Sequence, residues 1–353
     1  MNMAANIKDV AKRAGVSPST VSRVIANSTR ISEGTRQRVR TVMKELNYHP
    51  NAIARSLVKQ SAQAIGLLIP STIDQFFSNP FFPEVLRGIT QVAQNAGYDL
   101  FLSTALHGLN DIERLEHMVR GKQVDGVILL TARISDPLLV VLTENHIPAV
   151  LIGRPAVPTT ISWVNNDNRQ AAYDATNHLL KLGHKRIGFI GGASDLVVTM
   201  DRLSGYASAL EDAGISFDPR LVISEDFLEE GGYTGMTRLL AIPERPGAVI
   251  ASDDVLAFGA MRAAGELGYL IPDDLAIVGF NDIPLAKLSN PPLTTMNVHI
   301  FELGQQSAQM LLAQMKQPDA DPRQHLVSHD LVIRRSCGAW NPLTPKSYQG
   351  DPL

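Results

Sequence analysis

The chain has 353 residues, which is more than one hydrophobic core usually holds, so its length predicts two or three domains. Hydrophobic residues make up 44% of it and charged residues 19%, the composition of an ordinary folded protein. No apolar run reaches the roughly 18 residues of a membrane helix, and a helical pattern stands where a signal peptide would be. We therefore expect a soluble, cytoplasmic protein.

Charge is distributed unevenly along the chain. Residues 1–60 contain 11 Lys and Arg against 3 Asp and Glu, a net charge of +8. The whole chain carries −3, so the remaining residues carry −11. This asymmetry is expected when a small domain contacts phosphates and a larger one does not, although solvated helix faces could produce part of it.

The first elements in chain order are three short helices. Asn6 is placed to cap a helix with Ile7, Val10, Ala11 and Ala14 on one face, and Gly15 to end it. Ser32 is the predicted cap of the third helix, whose apolar stripe is Val39, Val42, Met43 and Leu46.

The second helix carries the candidate recognition surface. Ser17 is its predicted cap and Pro18 its first residue, where a missing N–H costs nothing, while Val21, Val24 and Ile25 form its buried side. The opposite face presents small polar groups and one arginine, which suit a helix in a DNA major groove. These outward residues are Ser17, Ser19, Thr20, Ser22 and Arg23.

A short helical pattern over residues 51–59 follows this head. Helices of fewer than about 12 residues are marginal in water, so it is either a plain linker or a segment that folds when DNA orders it.

From Ala64 onward, short apolar runs alternate with amphipathic helices such as 83–96 and 168–182. This pattern predicts parallel sheets covered on both faces, and a body of this length is best divided into two lobes. The predicted strands begin at Ala64, Asp99, Gly126, Ala149, Arg186, Ala248 and Leu275.

Polar and aromatic residues follow several of these strands, at the sheet edge where ligands of open α/β folds bind. Carboxylates, amides and an arginine facing aromatic rings are the chemistry of neutral sugar binding. Asp254 and Asp282 could equally be helix caps. The strand-end residues are Ser71, Asn79, Phe81, Phe82, Arg154, Asp253, Asp254, Asn281 and Asp282.

We find no signature of an enzyme or a cofactor. Gly188-Phe-Ile-Gly-Gly192 lacks the Gly-x-Gly-x-x-Gly spacing of dinucleotide binding, and no phosphate-binding loop or nucleophile elbow is present. Cys337 is the only cysteine, and His178 and His184 do not share a helical face. We therefore expect neither catalysis nor a metal.

Four motifs in residues 7–59 resemble the headpiece and hinge of the lactose-repressor family of bacterial transcription regulators. They are Ile7-Lys-Asp-Val-Ala, Gly15-Val-Ser-Pro-Ser-Thr-Val-Ser-Arg-Val-Ile, Leu46-Asn-Tyr-His-Pro-Asn and Ala54-Arg-Ser-Leu. The resemblance continues to about Cys337.

The resemblance implies an all-α helix-turn-helix headpiece followed by an α/β body, two-lobed and periplasmic-binding-protein-like, with doubly wound parallel sheets. Its implied divisions are a head over 1–49, a hinge helix and linker over 50–62, a body over 63–337 and a flexible tail over 338–353. Within the body, the first lobe comprises about 63–163 and 293–326, and the second about 164–292 and 327–337.

For DNA, the resemblance implies base contacts at Pro18, Ser19 and Arg23, and a minor-groove wedge at Leu57. Because Pro18 has no side-chain hydrogen-bonding group, Arg23 and Ser19 would carry most of the direct reading. The full set of predicted DNA-contacting residues is Ser17, Pro18, Ser19, Thr20, Ser22, Arg23, Asn27, Arg30, Asn51, Ala54, Arg55 and Leu57.

For the effector, the resemblance implies Arg202, Asp253, Asn281, an aromatic platform at Phe227 and a second aromatic residue at Phe82. Gly153 stands where some members have an acidic ligand residue. The segments 78–88 and 163–167 are most similar to those of the maltose and α-glucoside regulators. The predicted effector site is Ser71, Asn79, Phe82, Arg154, Arg202, Phe227, Asp253, Asn281 and Asp282.

Together these features predict a cytoplasmic, nucleoid-associated repressor of a carbohydrate operon. We expect it to bind a palindromic operator as a homodimer and to respond to a small sugar. We do not expect a tetramer, because residues 338–353 contain no heptad of leucines. The alternatives are a pleiotropic regulator controlled by a partner protein, and a sugar-binding module without regulation. The second alternative would lack the basic head.

Overall fold

The computed structural model describes residues 5–25, 28–48, 61–69, 73–103, 110–130 and 132–339, with the backbone alone for 73–75. Its α-helices are α1 Ile7–Ala14, α2 Pro18–Ile25, α3 Glu33–Glu45, α4 Ile73–Ser78, α5 Phe81–Asn95, α6 Asp111–Arg120, α7 Pro137–Glu144, α8 Asn168–Lys181, α9 Val197–Asp212, α10 Glu229–Leu240, α11 Asp254–Glu266 and α12 Ile300–Lys316. Within these ranges no helix is long and apolar enough to cross a membrane.

The first three helices form the predicted head around a small apolar core. Asn6 caps α1 and forms a reciprocal capping box with Asp9, and α1 ends at Gly15 in the left-handed conformation, as predicted. Ser32 stands at the N-cap of α3, but its side chain makes no capping bond; its hydroxyl donates to Thr35 Oγ1 at 3.0 Å. The core residues are Val10, Ala11, Ala14, Val21, Val24, Val39 and Val42.

Two six-stranded sheets make up the body, as the alternating pattern predicted. The first has the strand order β11-β5-β4-β3-β1-β2 and the second β12-β10-β9-β8-β6-β7, and every pairing is parallel except that of β10 with β12. The strands are β1 Ala64–Leu68, β2 Asp99–Ser103, β3 Gly126–Leu129, β4 Ala149–Ile152, β5 Ser162–Asn166, β6 Ile187–Gly191, β7 Val222–Ser224, β8 Ala248–Ala251, β9 Ala276–Asn281, β10 Thr294–Asn297, β11 Gln324–Val327 and β12 Asp330–Val332.

The strand orders correct the predicted lobe boundaries. The prediction returned the chain to the first lobe at residue 293, but β10 (Thr294–Asn297) pairs with β9 in the second sheet. It also ended the first segment of that lobe at 163, whereas β5 continues to Asn166. Each crossing therefore lies a few residues later than predicted, because a strand must finish its hydrogen-bonded ladder before the chain leaves the sheet.

The chain crosses between the lobes three times, after β5, after β10 and after β11. The amide of Asn166, at the end of β5, connects all three crossings. Its Nδ2 has two N–H groups and three carbonyl acceptors within reach, that of Val298 at 3.0 Å and those of Val327 and Ser328 at 3.1 Å each, so one N–H is shared. One buried side chain thus holds the three crossing segments against one another.

Helices α5 and α12 pack against each other on one face of the first sheet. Their backbones approach closely at two glycines: a Cβ at Gly88 would overlap the carbonyl oxygen of Phe301, and one at Gly304 would overlap that of Val85. The two glycines therefore permit this helix pairing.

Gly88→Ala should destabilise the first lobe by about 1–3 kcal/mol, because the added methyl forces the two helices apart. Gly265→Ala is the matched control, since a Cβ there meets open space in α11 and should be neutral or stabilising by up to ~1 kcal/mol. Thermal unfolding of both variants checks this, and equal midpoints would contradict the close-approach explanation.

Candidate functional site

The predicted recognition helix presents the expected face to solvent. Ser17, Pro18, Ser19 and Arg23 are exposed, and Thr20 and Ser22 are half-buried. Arg30, in the turn before α3, is also exposed. The opposite face of α2 supplies Val21 and Val24 to the core of the head.

Ser17 organises the start of this helix. Its hydroxyl lies 2.8 Å from Ser19 Oγ and 2.9 Å from Thr20 Oγ1, and it accepts the backbone N–H of Thr20 at 3.2 Å, the cap predicted for it. Three hydroxyls of the predicted DNA-contacting set are therefore linked to one another, and Arg23 extends from the next turn.

Five of the predicted DNA-contacting residues lie outside the described residues, as does one predicted effector residue. The first group is Asn27, Asn51, Ala54, Arg55 and Leu57, and the second is Ser71. The wedge at Leu57 and the hinge helix stay predictions.

Between the two lobes lies a cavity of about 300 Å³, formed at the carboxyl ends of strands from both sheets. This is the sheet edge at which the strand-end rule placed a ligand. Seven of the nine predicted effector residues line it: Asn79, Phe82, Arg154, Arg202, Phe227, Asp253 and Asn281.

Asp253 links the lobes at the centre of the cavity. Its Oδ2 accepts from Asn281 Nδ2 at 2.8 Å and, across the cleft, from Asn79 Nδ2 at 3.1 Å, while its Oδ1 caps α11 by accepting from Val255 N at 2.7 Å. Burial raises the pKa of this carboxyl, and the bonds from Asn79 and Val255 N and the charge of Arg202 oppose that effect. Asp253 is therefore both a helix cap and a cavity residue.

Asn281 retains hydrogen-bonding capacity toward the cavity. It has a left-handed φ of 106°, and among the described residues its buried Oδ1 has no hydrogen-bond partner. A buried oxygen of this kind is available to a ligand hydroxyl.

Arg202 is held rigidly in the second lobe. Its Nε donates to Asn168 Oδ1 at 2.9 Å, its Nη1 donates to the carbonyl of Ser252, and its guanidinium lies 4.4 Å from the centre of the Phe280 ring. Burial lowers the pKa of Arg202 to about 10, so it remains protonated at neutral pH.

Arg154 and Asp201 form a second link across the cleft. Arg154 follows β4 in the first lobe and Asp201 lies on α9 in the second; Nε donates to Oδ2 at 2.8 Å and Nη2 to Oδ1 in a bidentate pair. Hydrogen bonding to Asp201 raises the pKa of Arg154, so the arginine is cationic.

Aromatic rings enter the cavity from both lobes. Phe82 stacks on the buried Phe76 with ring centres 4.7 Å apart, and Phe81 meets its edge at 5.4 Å. Phe227 lines the side formed by the second lobe. Rings fixed in this way can cover the apolar faces of a ligand.

Asp282 and Asp254 support the site without lining it. Asp282, predicted as an effector residue, pairs with Arg334 at 2.7 Å instead. Asp254 accepts from Thr295 Oγ1 at 2.6 Å and from Ile283 N at 2.9 Å, so it is not the cap of α11. Burial raises the pKa of Asp254 well above its ordinary value. Both carboxyls brace the loop that carries Asn281.

Several polar lining residues were not predicted: Arg133, Asn165, Asn166, Asn168, Asp201 and Asp226. The strand-end rule, applied to β5, would have found Asn165 and Asn166, since they close that strand. Arg133 and Asp226 lie in irregular loops, where the sequence carries no periodic signal. Within the described ranges, no group of three His, Cys, Asp or Glu side chains could hold a metal ion.

Comparison with known proteins matches both parts of the chain. Residues 6–51 match "Bacterial regulatory proteins, lacI family", and residues 176–337 match a "Periplasmic binding protein-like domain". The HTH-type transcriptional regulator MalR of Streptococcus pneumoniae serotype 4 is 42% identical over 314 residues, covering 88% of this chain and 92% of that protein. The chain belongs to the lacI family of bacterial regulatory proteins.

Two solved structures match nearly the whole chain. A transcriptional regulator CelR–cellobiose complex is 33% identical with a TM-score of 0.74, covering 94% of this chain and 99% of that one. The lac repressor dimer bound to operator and the anti-inducer ONPF is 26% identical with a TM-score of 0.83, covering 95% and 99%. The protein is therefore a DNA-binding transcriptional regulator and not an enzyme, as predicted.

A backbone contact closes the cleft of this lacI-family regulator at one edge. Ile134 N donates to the carbonyl of Asp195 at 2.8 Å, and Val197 N donates to that of Ala132 at 3.0 Å. Arg133 also pairs with Asp195, and Val197 is buried among side chains of the first lobe. We call segments 132–134 and 195–197 the strap.

Cysteines replacing Arg133 and Leu196 should cross-link the strap, because these residues form the bridge pair flanked by its two hydrogen bonds, where Cα atoms lie about 4.5 Å apart. Oxidation should slow amide exchange in 195–197 at least about tenfold, since opening the strap then requires reduction. Hydrogen exchange with mass spectrometry measures this. The control is the double serine variant, and equal exchange in oxidised and reduced protein would mean that the lobes do not part at this edge.

Proposed function

We propose that this regulator is a homodimeric repressor of a carbohydrate-utilisation operon, and that a small neutral sugar in the interlobe cavity controls its affinity for a palindromic operator. The sugar we infer is an α-glucoside such as maltose. Because its macromolecular ligand is operator DNA, the protein acts in the cytoplasm at the nucleoid. A periplasmic receptor without regulation is disfavoured by the helix-turn-helix head.

The cavity lining carries this proposal. Its lining arginines and aspartates balance in formal charge, its amides come from both lobes, and aromatic rings stand on two sides. Neutral sugars require paired hydrogen-bonding groups for their hydroxyls and rings for their C–H faces. The relative solved with cellobiose binds a neutral disaccharide of glucose, which supports a neutral sugar as the ligand here.

Control of DNA binding follows from the same residues. Contacts around the cavity connect the lobes through Asn79, Arg154 and the strap. A ligand that contacts both lobes therefore changes the free energy of the closed arrangement relative to the open one. The lac repressor relative is a dimer bound to operator, and a rotation between lobes in such a dimer would alter the spacing of its heads.

The operator experiment tests the coupling. Duplexes selected from a random pool by the full-length protein should be inverted repeats. Titrating them with maltose, cellobiose and sucrose should change operator affinity at least about fivefold for one sugar, and operator DNA should change the affinity for that sugar by the same factor. Fluorescence anisotropy measures the operator affinity, and isothermal titration calorimetry measures the sugar affinity.

Unchanged operator affinity with all three sugars, together with no calorimetric binding, would favour control by a partner protein. Selected sites without inverted symmetry would contradict a homodimer on a palindrome.

Arg23→Ala should weaken binding to the selected operator by about 1–3 kcal/mol and relax its sequence preference, because it removes a bidentate donor to guanine. Arg23→Lys keeps the charge but lacks the planar fork, so it should keep nonspecific affinity and still lose specificity. Competition between the operator and a scrambled duplex gives the ratio of specific to nonspecific affinity. If Arg23→Ala leaves this ratio unchanged, Arg23 does not read bases.

A further inference from the structure

Two of the three arginines that line the cavity are ion-paired before any ligand enters, and the third donates to neutral acceptors. Three arginines (Arg133, Arg154 and Arg202) and three aspartates (Asp201, Asp226 and Asp253) contribute to the lining. Arg133 is paired with Asp195 and Arg154 with Asp201, while Arg202 donates to Asn168 and to a backbone carbonyl. An anion entering the cavity therefore meets Arg133 and Arg154 already paired with carboxylates, and Arg202 with its Nε and Nη1 already bonded.

The Arg154–Asp201 pair is the most complete of these arrangements. Two parallel N–H donors of Arg154 meet both oxygens of Asp201, and the remaining Nη1 donates to the carbonyl of Pro155 at 3.2 Å. Asp201 is only 8% exposed. A planar fork filled in this way is the geometry that would otherwise bind the carboxylate or phosphate of a ligand.

Displacing Asp201 from this fork would be unfavourable. A phosphate or carboxylate that took Arg154 would leave Asp201 without its bidentate partner in a largely buried position, and a buried charge that loses its partner is strongly destabilised. It would also break one of the contacts that hold the lobes together. A neutral sugar can bind beside the intact pair, because hydroxyls accept and donate without removing either charge.

We propose that Asp201 is a specificity-determining residue: by occupying the guanidinium of Arg154, it restricts the cavity to neutral carbohydrates and excludes phosphorylated sugars and uronates. The role of Asp201 rests on the proposed function, which makes a sugar the ligand of the cavity. It adds that Asp201 is the residue that excludes anionic sugars. Asp201 also contributes negative charge beside Arg202, so its removal would leave that side of the cavity more positive.

Asp201→Asn in the full-length protein tests the inference with inorganic phosphate as the probe. The amide keeps the size of the side chain and removes its charge, so Arg154 should become available to an anion. We expect the variant to bind phosphate at least about tenfold more tightly than wild type, measured by calorimetry and by the rise in thermal midpoint. The double variant Arg154→Gln/Asp201→Asn should lose the gain.

The matched control is Asp212→Asn, which removes a carboxylate from the same helix at an exposed position, where it accepts from Tyr173. This control corrects for phosphate bound by the basic head and should behave as wild type. If Asp201→Asn binds phosphate no better than wild type, or if the double variant retains the gain, the inference is overturned. Should circular dichroism show that Asp201→Asn does not fold, Asp201→Ser takes its place with the same expectations.

A sugar arm separates this inference from the proposed function. Wild type should bind maltose or cellobiose in preference to the 6-phosphorylated form of the same disaccharide, and Asp201→Asn should narrow or reverse that preference. A wild type that binds the phosphorylated form equally well overturns the inference. If wild type binds none of these sugars, the sugar proposal is contradicted. If Asp201→Asn nevertheless binds phosphate more tightly than wild type, the exclusion of anions by Asp201 is still supported.

Discussion

The arrangement of the body depends on the amide of Asn166, which bonds to all three segments that cross between the lobes. A buried amide must satisfy its donors, and here the acceptors are backbone carbonyls of the second and third crossings. The crossings are thereby kept side by side. A motion of the lobes that keeps these bonds would be a rotation about this point.

Elsewhere around the cavity the lobes meet through contacts that can separate. The Asn79–Asp253 bond is buried, whereas Arg133 and Asp195 are each about half exposed at 43% and 53%, so that ion pair is screened by water. Breaking these contacts leaves polar groups that water can solvate, so open and closed arrangements need not differ greatly in free energy. A ligand that adds bonds to both lobes can then decide between them.

Two ion pairs span the cleft, and they bear on the proposed recognition as well as on closure. Arg133 and Arg154 belong to the first lobe and their partners Asp195 and Asp201 to the second, so closing the lobes neutralises both arginines. The closed cavity then offers dipoles, rings and the guanidinium of Arg202, which donates to neutral acceptors. If Asp201 excludes anions as proposed, selectivity for a neutral ligand and closure of the lobes rest on the same kind of ion pair across the cleft.

The residues found from sequence are placed by the ends of strands, whereas those missed are placed by contacts with residues distant in the chain. Asn79, Asp253 and Asn281 follow predicted strands, and parallel strands bring their carboxyl ends to one edge, so local pattern was sufficient to place them together. Asp254 and Asp282 follow the same strands, yet they turn away to brace the loop, because the choice between adjacent carboxyls depends on Thr295 and Arg334. Those partners are distant in sequence.

From sequence alone, the head, the alternating body, the family and most of the cavity could be determined, since helix periodicity, strand-end position and motif identity are local properties of the chain. Tertiary structure decided which lobe β10 belongs to, where Asn166 holds the crossings, and that Arg154 meets Asp201 across the cleft. These are contacts between segments far apart in the chain. Their partners are selected by packing and charge after the sheets have formed, so no local pattern encodes them.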